Sequence, residues 1–345
     1  MAKTVRKDNK PADEQLKELY QAAAAFKQVQ PWKWLFDADI ICVEDPKDKM
    51  MGYCSVMGRA GEHYALGVYL GNEGIFGFYQ MMEHADSIPR HQVLHYQNCL
   101  MCSFEDRDLL ANEDRKQIKD LGLSFRGRNA WPMFRRYEPG YNPWFINEEE
   151  CLFLTHALKQ TLFVADNILT GQLKMDMEQG RTIVRYSKEK DGKLEWHSKE
   201  VQLEFPTASY SSVKITDDML IQKIKRAGSL GNVTLQVDIC YMLSAVQENR
   251  GERPYFPRVF ILAEQKSGQI LDFEMYQSIS DDVSVTLNKL IGMFLEKGIP
   301  KEIQVRSEAM AAILNDLCNK AGINLKIVKR LLSIDQMMKE MAHRF

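Results

Sequence analysis

His91, His95, Cys99 and Cys102 invite chemistry first, because imidazole and thiolate are common zinc ligands. Their spacing argues against a shared ion. On one helix, rising about 1.5 Å per residue, His91 and Cys102 would stand roughly 16 Å apart, beyond any coordination shell. If Cys99 to Cys102 opens a strand, the two thiols point to opposite faces. No second CxxC completes a set, so the pattern reads as buried cysteine packing with no metal. A second candidate is the segment FRGRNAWPMFRRYEPGYNPWF (125–145). Here Arg126, Arg128, Trp131, Arg135 and Arg136, with Phe134, Tyr137 and Trp144 among them, could bind nucleic acid through guanidinium–phosphate contacts and ring stacking. The favoured reading is structural: aromatic residues among prolines pin the loop to its own core, and the arginines pair with Glu138 and with Glu148 to Glu150. Gly67, Gly71, Gly74 and Gly77 match neither GxGxxG nor GxxxxGK[ST], so no phosphate-binding fingerprint is present.

The elements that would position these groups follow from periodicity. Residues 1–12 are polar and read as a mobile N-terminus, after which Leu16, Leu19, Tyr20, Ala23 and Phe26 recur at helical spacing up to Val29. Three β-rich runs (39–43, 50–56, 64–69) separated by EDPKDK and GRAGEH predict a three-stranded meander. A helix over NEGIFGFYQMMEHA follows, with Asn72 as its cap and Ser87-Ile88-Pro89 as its stop. A strand over 99–104 and a helix over 112–120 come next. The Pro and Gly of 125–145 argue against regular structure there. Asn147 and Glu150 match a capping box ahead of an apolar helix. From 171 to 231 the pattern predicts two polar hairpins, turning at 178–180 and 190–193, as a β-connector. Asp217 or Asp218 then caps a helix to Ala227, and GSLGN (228–232) is a hinge. The strands over 39–69, the helix over 72–85, the strand over 99–104, the helix over 112–120 and LGLSF (121–125) repeat a β-β-β-α-β-α-β order that would permit an internal duplication.

Composition bounds the function. With 345 residues, 45% of them hydrophobic, the chain is large enough for two cores. Its 45 Lys and Arg nearly balance 47 Asp and Glu, so no chain-wide field draws it to nucleic acid or an anionic membrane. Seven scattered cysteines do not form a disulfide framework, which predicts a reducing, cytoplasmic setting. The start MAKTVRKDNKPADEQ lacks an apolar core, and no stretch is apolar enough to span a bilayer, so no membrane is expected. The eighteen methionines, Met81, Met82, Met337 and Met338 among them, read as core filler.

The last third predicts three strands, a helix, a strand, a helix, a strand and a final helix. Val259, Ile261 and Ala263 alternate as a strand does, and Val285, Leu287, Leu290, Ile291, Phe294 and Leu295 form a helical face, so the period changes across 278–282. TLQVDICYML, RVFILAEQKSGQILDFEMY, a helix over 282–297 and KEIQVRSEAMAAILNDLCNKAGINLKIV together resemble, over roughly 110 residues, the catalytic core of retroviral-type integrases in the RNase H-like superfamily. That resemblance implies clustered carboxylates holding two divalent ions for phosphodiester chemistry. Asp238 matches the first carboxylate. The second position, at the end of the fourth strand, falls on Arg306 with Ser307 beside it, and a guanidinium repels a metal. Asp335 and Glu340 are the candidates on the last helix; Glu264, Glu302 and Glu308 are possible substitutes. The N-terminal half, through PWKWLFDADIICVEDP, GYCSVMGRAGEHYALGVYLGNEGIFGFYQ and YEPGYNPWFINEEE, resembles an uncharacterised bacterial family, which implies no activity.

The expectation is an α+β protein: a mobile stretch 1–12, an α+β domain 13–170 with a three-stranded meander and helices, a connector 171–231, and an RNase H-like mixed-sheet domain 232–345 ordered β-β-β-α-β-α-β-α. Function is expected to be non-catalytic binding or scaffolding, with a protein partner favoured over nucleic acid and no cofactor. The alternatives are a Mg²⁺- or Mn²⁺-dependent nuclease or phosphotransfer enzyme built on Asp238, and a nucleic-acid binder using the 125–145 loop.

Overall fold

Strand period and helix period alternate along the chain as expected, and the elements gather around two separate sheets. The structure, a computed structural model, describes residues 9–83, 88, 93, 96–204, 206, 210–249 and 251–344. Most of the polar 1–12 stretch, together with Pro89, His91 and His95, lies outside the described residues. The chain divides into two compact units: one runs through Thr207 apart from Pro89–His95 and Gly140–Asn142, and the other comprises those two segments and Ala208–Phe345.

The first unit holds a seven-stranded sheet. Its strands are β1 (Ile41–Glu44), β2 (Met51–Met57), β3 (Ala65–Leu70), β4 (Cys99–Glu105), β5 (Trp131–Tyr137), β6 (Arg181–Lys190) and β7 (Lys193–Gln202), in the order β5-β4-β3-β2-β1-β6-β7. β1 to β5 form a continuous antiparallel meander, β6 lies parallel to β1, and β7 folds back on β6. The expected three-stranded meander is thus the middle of a larger one. Because β4 pairs with β3 and not with β1, this sheet does not duplicate the second one. Helices α1 (Asp13–Val29) and α4 (Glu148–Leu169) cover one face through Leu19, Phe26, Leu154 and Leu158 against Ile41, Val56, Leu66 and Leu100. On the other face, Ile75 and Phe78 of α2 (Gly71–Glu83) meet Cys42, Tyr69 and Cys99.

Several local expectations need correcting. The 125–145 segment is partly regular, since β5 runs through it with Pro132; β5 is an edge strand, where a missing proline N–H is tolerated. One hairpin, not two, occupies 171–231, because residues 177–179 form a 3₁₀ turn. That hairpin extends the first sheet, while α5 (Asp218–Arg226) packs into the second unit's core. α2 starts at Gly71, so Asn72 sits inside its first turn. The helix also runs close beneath its neighbours: a Cβ at Gly77 would lie 2.0 Å from the Tyr96 carbonyl oxygen. The capping box forms, with Asn147 Oδ1 accepting from Glu150 N at 2.9 Å and a Glu150 carboxylate oxygen accepting from Asn147 N at 3.0 Å.

The second unit carries the RNase H-like sheet. β8 (Thr234–Tyr241), β9 (Arg258–Glu264), β10 (Ile270–Tyr276), β11 (Glu302–Val305) and β12 (Asn324–Ile327) are ordered β10-β9-β8-β11-β12. β9 is antiparallel to both neighbours, whereas β8, β11 and β12 run parallel through crossovers by α6 (Asp282–Lys297) and α7 (Glu308–Ala321). Three strands in a meander, then two reached through helices on the far side of the first, are the RNase H-like order. Helices α5, α6 and α7 bury Ile224, Leu290, Phe294, Leu314 and Leu317 against Leu235, Val237, Phe260, Leu262, Ile303 and Val305. On the other face, Leu331 and, from α8 (Leu332–Arg344), Ile334 and Met338 meet Cys240, Val259, Ile261 and Ala263.

Candidate functional site

Strand alternation decides which side chains of the second sheet meet α8. Leu235 and Val237 of β8 point into the three-helix face, so Gln236, Asp238 and Cys240 point to the opposite one. Ile303 and Val305 of β11 do the same, which turns Gln304 and Arg306 toward α8. The parallel register pairs Gln304 with Gln236, and two residues further on Arg306 comes beside Asp238. Gln236 also fixes the helix: its Oε1 accepts from Ser333 N at 3.0 Å in the first turn of α8, and Cys240 Sγ lies 3.6 Å from Met338 Sδ. With α8 held there, Asp335 faces the same point.

Arg306 lies between the two acids. Its Nε donates to Asp238 Oδ2 at 3.0 Å and its Nη2 donates to Asp335 Oδ1 at 2.7 Å. Asp238 is 3% exposed, and its other oxygen accepts from Ile239 N at 3.0 Å. Burial pushes the Asp238 carboxyl above the ordinary carboxylate range, against the pull of the Arg306 charge and hydrogen bond. Burial alone would lower the Arg306 pKa, but Asp238 and Asp335 together drive it up. Arg306 is thus a cation held by charge-assisted hydrogen bonds to a carboxyl group on each side.

The other acids named from sequence lie elsewhere. Glu302 and Glu264 are in register with Thr234 and Leu235, three or four residues below Asp238, roughly 10–13 Å along the strand. Glu264 is engaged by the backbone N–H groups of Lys266 and Ser267, and Glu302 by Gln304 and Asn324. Glu308 is exposed in the first turn of α7. Glu340 is exposed on α8 and accepts from Gln336 at 3.1 Å. Among the described residues no three His, Cys, Asp or Glu side chains gather as metal ligands.

The five residues proposed for nucleic acid do not share a surface. Arg135 is buried and bidentate to Asp114, at 2.8 and 2.5 Å, with Phe145 4.6 Å from its guanidinium. Arg136 is buried against Glu150 (3.3 Å), Asn98 (2.7 Å) and the Tyr137 carbonyl. Trp131 is half-buried, 6.0 Å from Phe125, and packs on the first core. That leaves Arg126 and Arg128 exposed. The pairing of Arg136 with Glu150 was readable from sequence; Asp114, on the helix Asn112–Asp120 (α3), was missed because nothing local links it to Arg135. Cys99 and Cys102 face opposite sides of their sheet, one under α2 and one in the main core.

Among the described residues no helix is long and apolar enough to cross a membrane. No curated protein matches the chain. One solved structure with some likeness is described as a cryoEM structure of the simian T-cell lymphotropic virus intasome in complex with PP2A regulatory subunit B56 gamma. The match has 15% sequence identity and a TM-score of 0.24, covering 33% of this chain and 41% of that one. The chain thus spans less than half the length of the chain it matches. Residues 17–185 match a domain of unknown function, DUF7309, and residues 220–342 match a second, DUF6930, so the chain carries two domains of unknown function.

Proposed function

We propose that the second unit is a non-catalytic RNase H-like module serving binding or scaffolding, with a protein as its partner. One observation carries this reading: the Arg306 guanidinium fills the gap between Asp238 and Asp335, the place where carboxylates of such a fold would bring divalent ions to a phosphodiester. A fixed positive charge there satisfies both acids and repels Mg²⁺ or Mn²⁺. The donor set therefore does not fit a metal pair, and no hydrolytic step is assigned to it.

The test combines metal binding with cleavage. Calorimetric titration of the full chain with Mn²⁺ should give the same weak signal in wild type and in Asp238→Asn. Single- and double-stranded DNA and RNA should survive in Mg²⁺ or Mn²⁺ alike for both. Metal-dependent cleavage by the wild type that disappears in Asp238→Asn would overturn the reading and revive the nuclease built on Asp238. The positive half is a pull-down from cell extract with purified chain, in which a protein retained by the second unit supports a scaffold and retention of nucleic acid alone refutes it.

A further inference from the structure

A second charged centre lies in the first unit, built from three loops. α1 ends at Val29, and Gln30, in the left-handed region at φ 58°, turns the chain into a short 3₁₀ helix over Pro31–Lys33. The β2–β3 turn crosses beside it, with Gly58 at φ 133°, where a Cβ would lie 2.6 Å from the Tyr64 ring. The loop ahead of β5 supplies Arg128. Together they enclose an open cavity of about 540 Å³ whose lining includes Lys27, Lys33, Arg59 and Arg128 and no carboxylate.

The balance of charge there is unusual. Among the described residues no carboxylate pairs with Lys27, Lys33 or Arg59 within salt-bridge distance. Among the described residues Arg128 has only the half-buried Asp106, at 4.0 Å. Lys27 is the most constrained: its ammonium stands 4.4 Å from the Tyr64 ring centre, 5.1 Å from that of Trp32 and 5.3 Å from that of Phe104. Aromatic faces and the C-terminal end of α1 hold a cation in place without neutralising it. Burial also lowers the Lys27 pKa, so an anion within reach would favour its charged form. Arg59 lies over Phe36, at 3.8 Å, and its one weak hydrogen bond goes to the Lys33 carbonyl at 3.5 Å, leaving most of its fork of donors open.

We propose that this basin binds a di- or triphosphate group. Four cations line the basin, one of them partly offset by Asp106, and together they match the three or four negative charges of such a group better than those of a single phosphate or carboxylate. The volume lies within the roughly 300–1,000 Å³ typical of small-molecule sites. The walls are more suited to a charged group than to an apolar ligand, since the Trp32 ring is buried beneath Lys27. The site is in a different unit from Arg306 and is independent of the reading given to that residue.

The experiment is calorimetric titration of the full chain with inorganic tripolyphosphate and, separately, with adenosine triphosphate. Wild type is compared with Lys27→Met, Arg59→Gln and the control Arg126→Gln. Lys27→Met keeps an unbranched apolar stem against the rings, and a thermal melt of each variant confirms folding. The expected result is binding that weakens as salt rises, reduced at least about tenfold by Lys27→Met and by Arg59→Gln and unchanged by Arg126→Gln. Tighter binding of the nucleotide assigns the ligand as a nucleotide, whereas equal binding assigns it as a free polyphosphate; either outcome supports the site. No binding of either probe, or equal binding by wild type and variants, overturns it. So does a single-stranded oligonucleotide that binds more tightly than both probes and loses affinity in the same variants, which would make the basin part of a strand-binding groove.

Discussion

Replacing Arg306 by methionine removes the charge that Asp238 and Asp335 share while keeping a long unbranched stem. Asp238 has its side chain 5% exposed and no second cation among the described residues, whereas Asp335 is 27% exposed and can be solvated. The loss should therefore fall on Asp238. Breaking a buried pair by removing one partner costs about 3–5 kcal/mol, and the Ile239 N–H that still reaches Asp238 favours the lower end, about 3 kcal/mol. The variant has a distinctive pH dependence. Without Arg306 the folded-state carboxyl pKa rises further above its unfolded value, so the unfolded state binds fewer protons than the native one between the two values. Stability is then fully present below the unfolded pKa and lost as pH rises through the folded one. Urea denaturation of the full chain, followed by a probe in the second unit, should show the deficit near pH 7.5 and a smaller one near pH 5. Adding Asp238→Asn to Arg306→Met should recover most of the loss, because the amide needs no cation. A deficit below about 1 kcal/mol at neutral pH, or one independent of pH, would refute the reasoning and mean that Asp238 is not held ionised by Arg306.

Other outcomes follow from the first unit and from the thiols. His156 packs beside Trp196, with ring centres 5.5 Å apart, and burial, helped by Lys159, lowers its pKa below the ordinary 6.5. The unfolded chain then takes up the proton first, so this contribution is present above the unfolded pKa and lost as pH falls through the folded one; His156→Gln should flatten the fall in urea midpoint below about pH 6.5. All seven cysteines are buried, and burial pushes Cys54, Cys99, Cys151 and Cys318 up to about 12. A thiol reagent should label them all on unfolding and react only slowly before it, as a timed absorbance assay would show. Gly77→Ala should destabilise by about 1–3 kcal/mol because the Tyr96 backbone cannot yield easily. Gly292→Ala, in the interior of α6 with open space around its Cβ, should stabilise by roughly 0.5–1 kcal/mol; paired thermal melts would compare the two.

Elements that depend on local chemistry were legible in the sequence, and those set by remote pairing were not. The span of α6, Asp282–Lys297, and the cap of α4 follow from an apolar period and from an Asn and a Glu three residues apart, both short-range signals. The strand order of the second sheet was legible because a meander followed by helical crossovers leaves few topologies. In the first unit the same β and α pattern misled. Nothing in the residues of β4 declares whether it pairs with β3 or crosses to β1, and the parallel pairing of β6 with β1 joins segments some 140 residues apart. The 125–145 segment was misjudged for a related reason: Pro132 opposes a strand in general, but an edge position removes the objection. At the Asp238 site, sequence identified the displaced carboxylate but not what Arg306 does. Only the register of β11 on β8, together with the Ser333 N–H tied to Gln236, brings Asp335 to the other side of the guanidinium.

That geometry bears on why an arginine, rather than a neutral residue, stands at position 306. Two acids on adjoining elements repel each other, and burial together with that repulsion makes the enclosed one, Asp238, resist ionisation. In an enzyme of this fold, divalent ions would relieve that repulsion. A neutral side chain at 306 would leave it in place, so a sheet that keeps Asp238 and Asp335 needs a cation of its own between them. Arginine suits the position better than lysine because its planar fork presents Nε to one carboxylate and Nη2 to the other at once, while an ammonium is a single point charge. On this argument the arginine makes the two acids tolerable side by side, and the three residues form one electrostatic unit joining β8, β11 and α8. The two bonds tie the last helix to the sheet, Nε reaching the strand acid and Nη2 the helix acid.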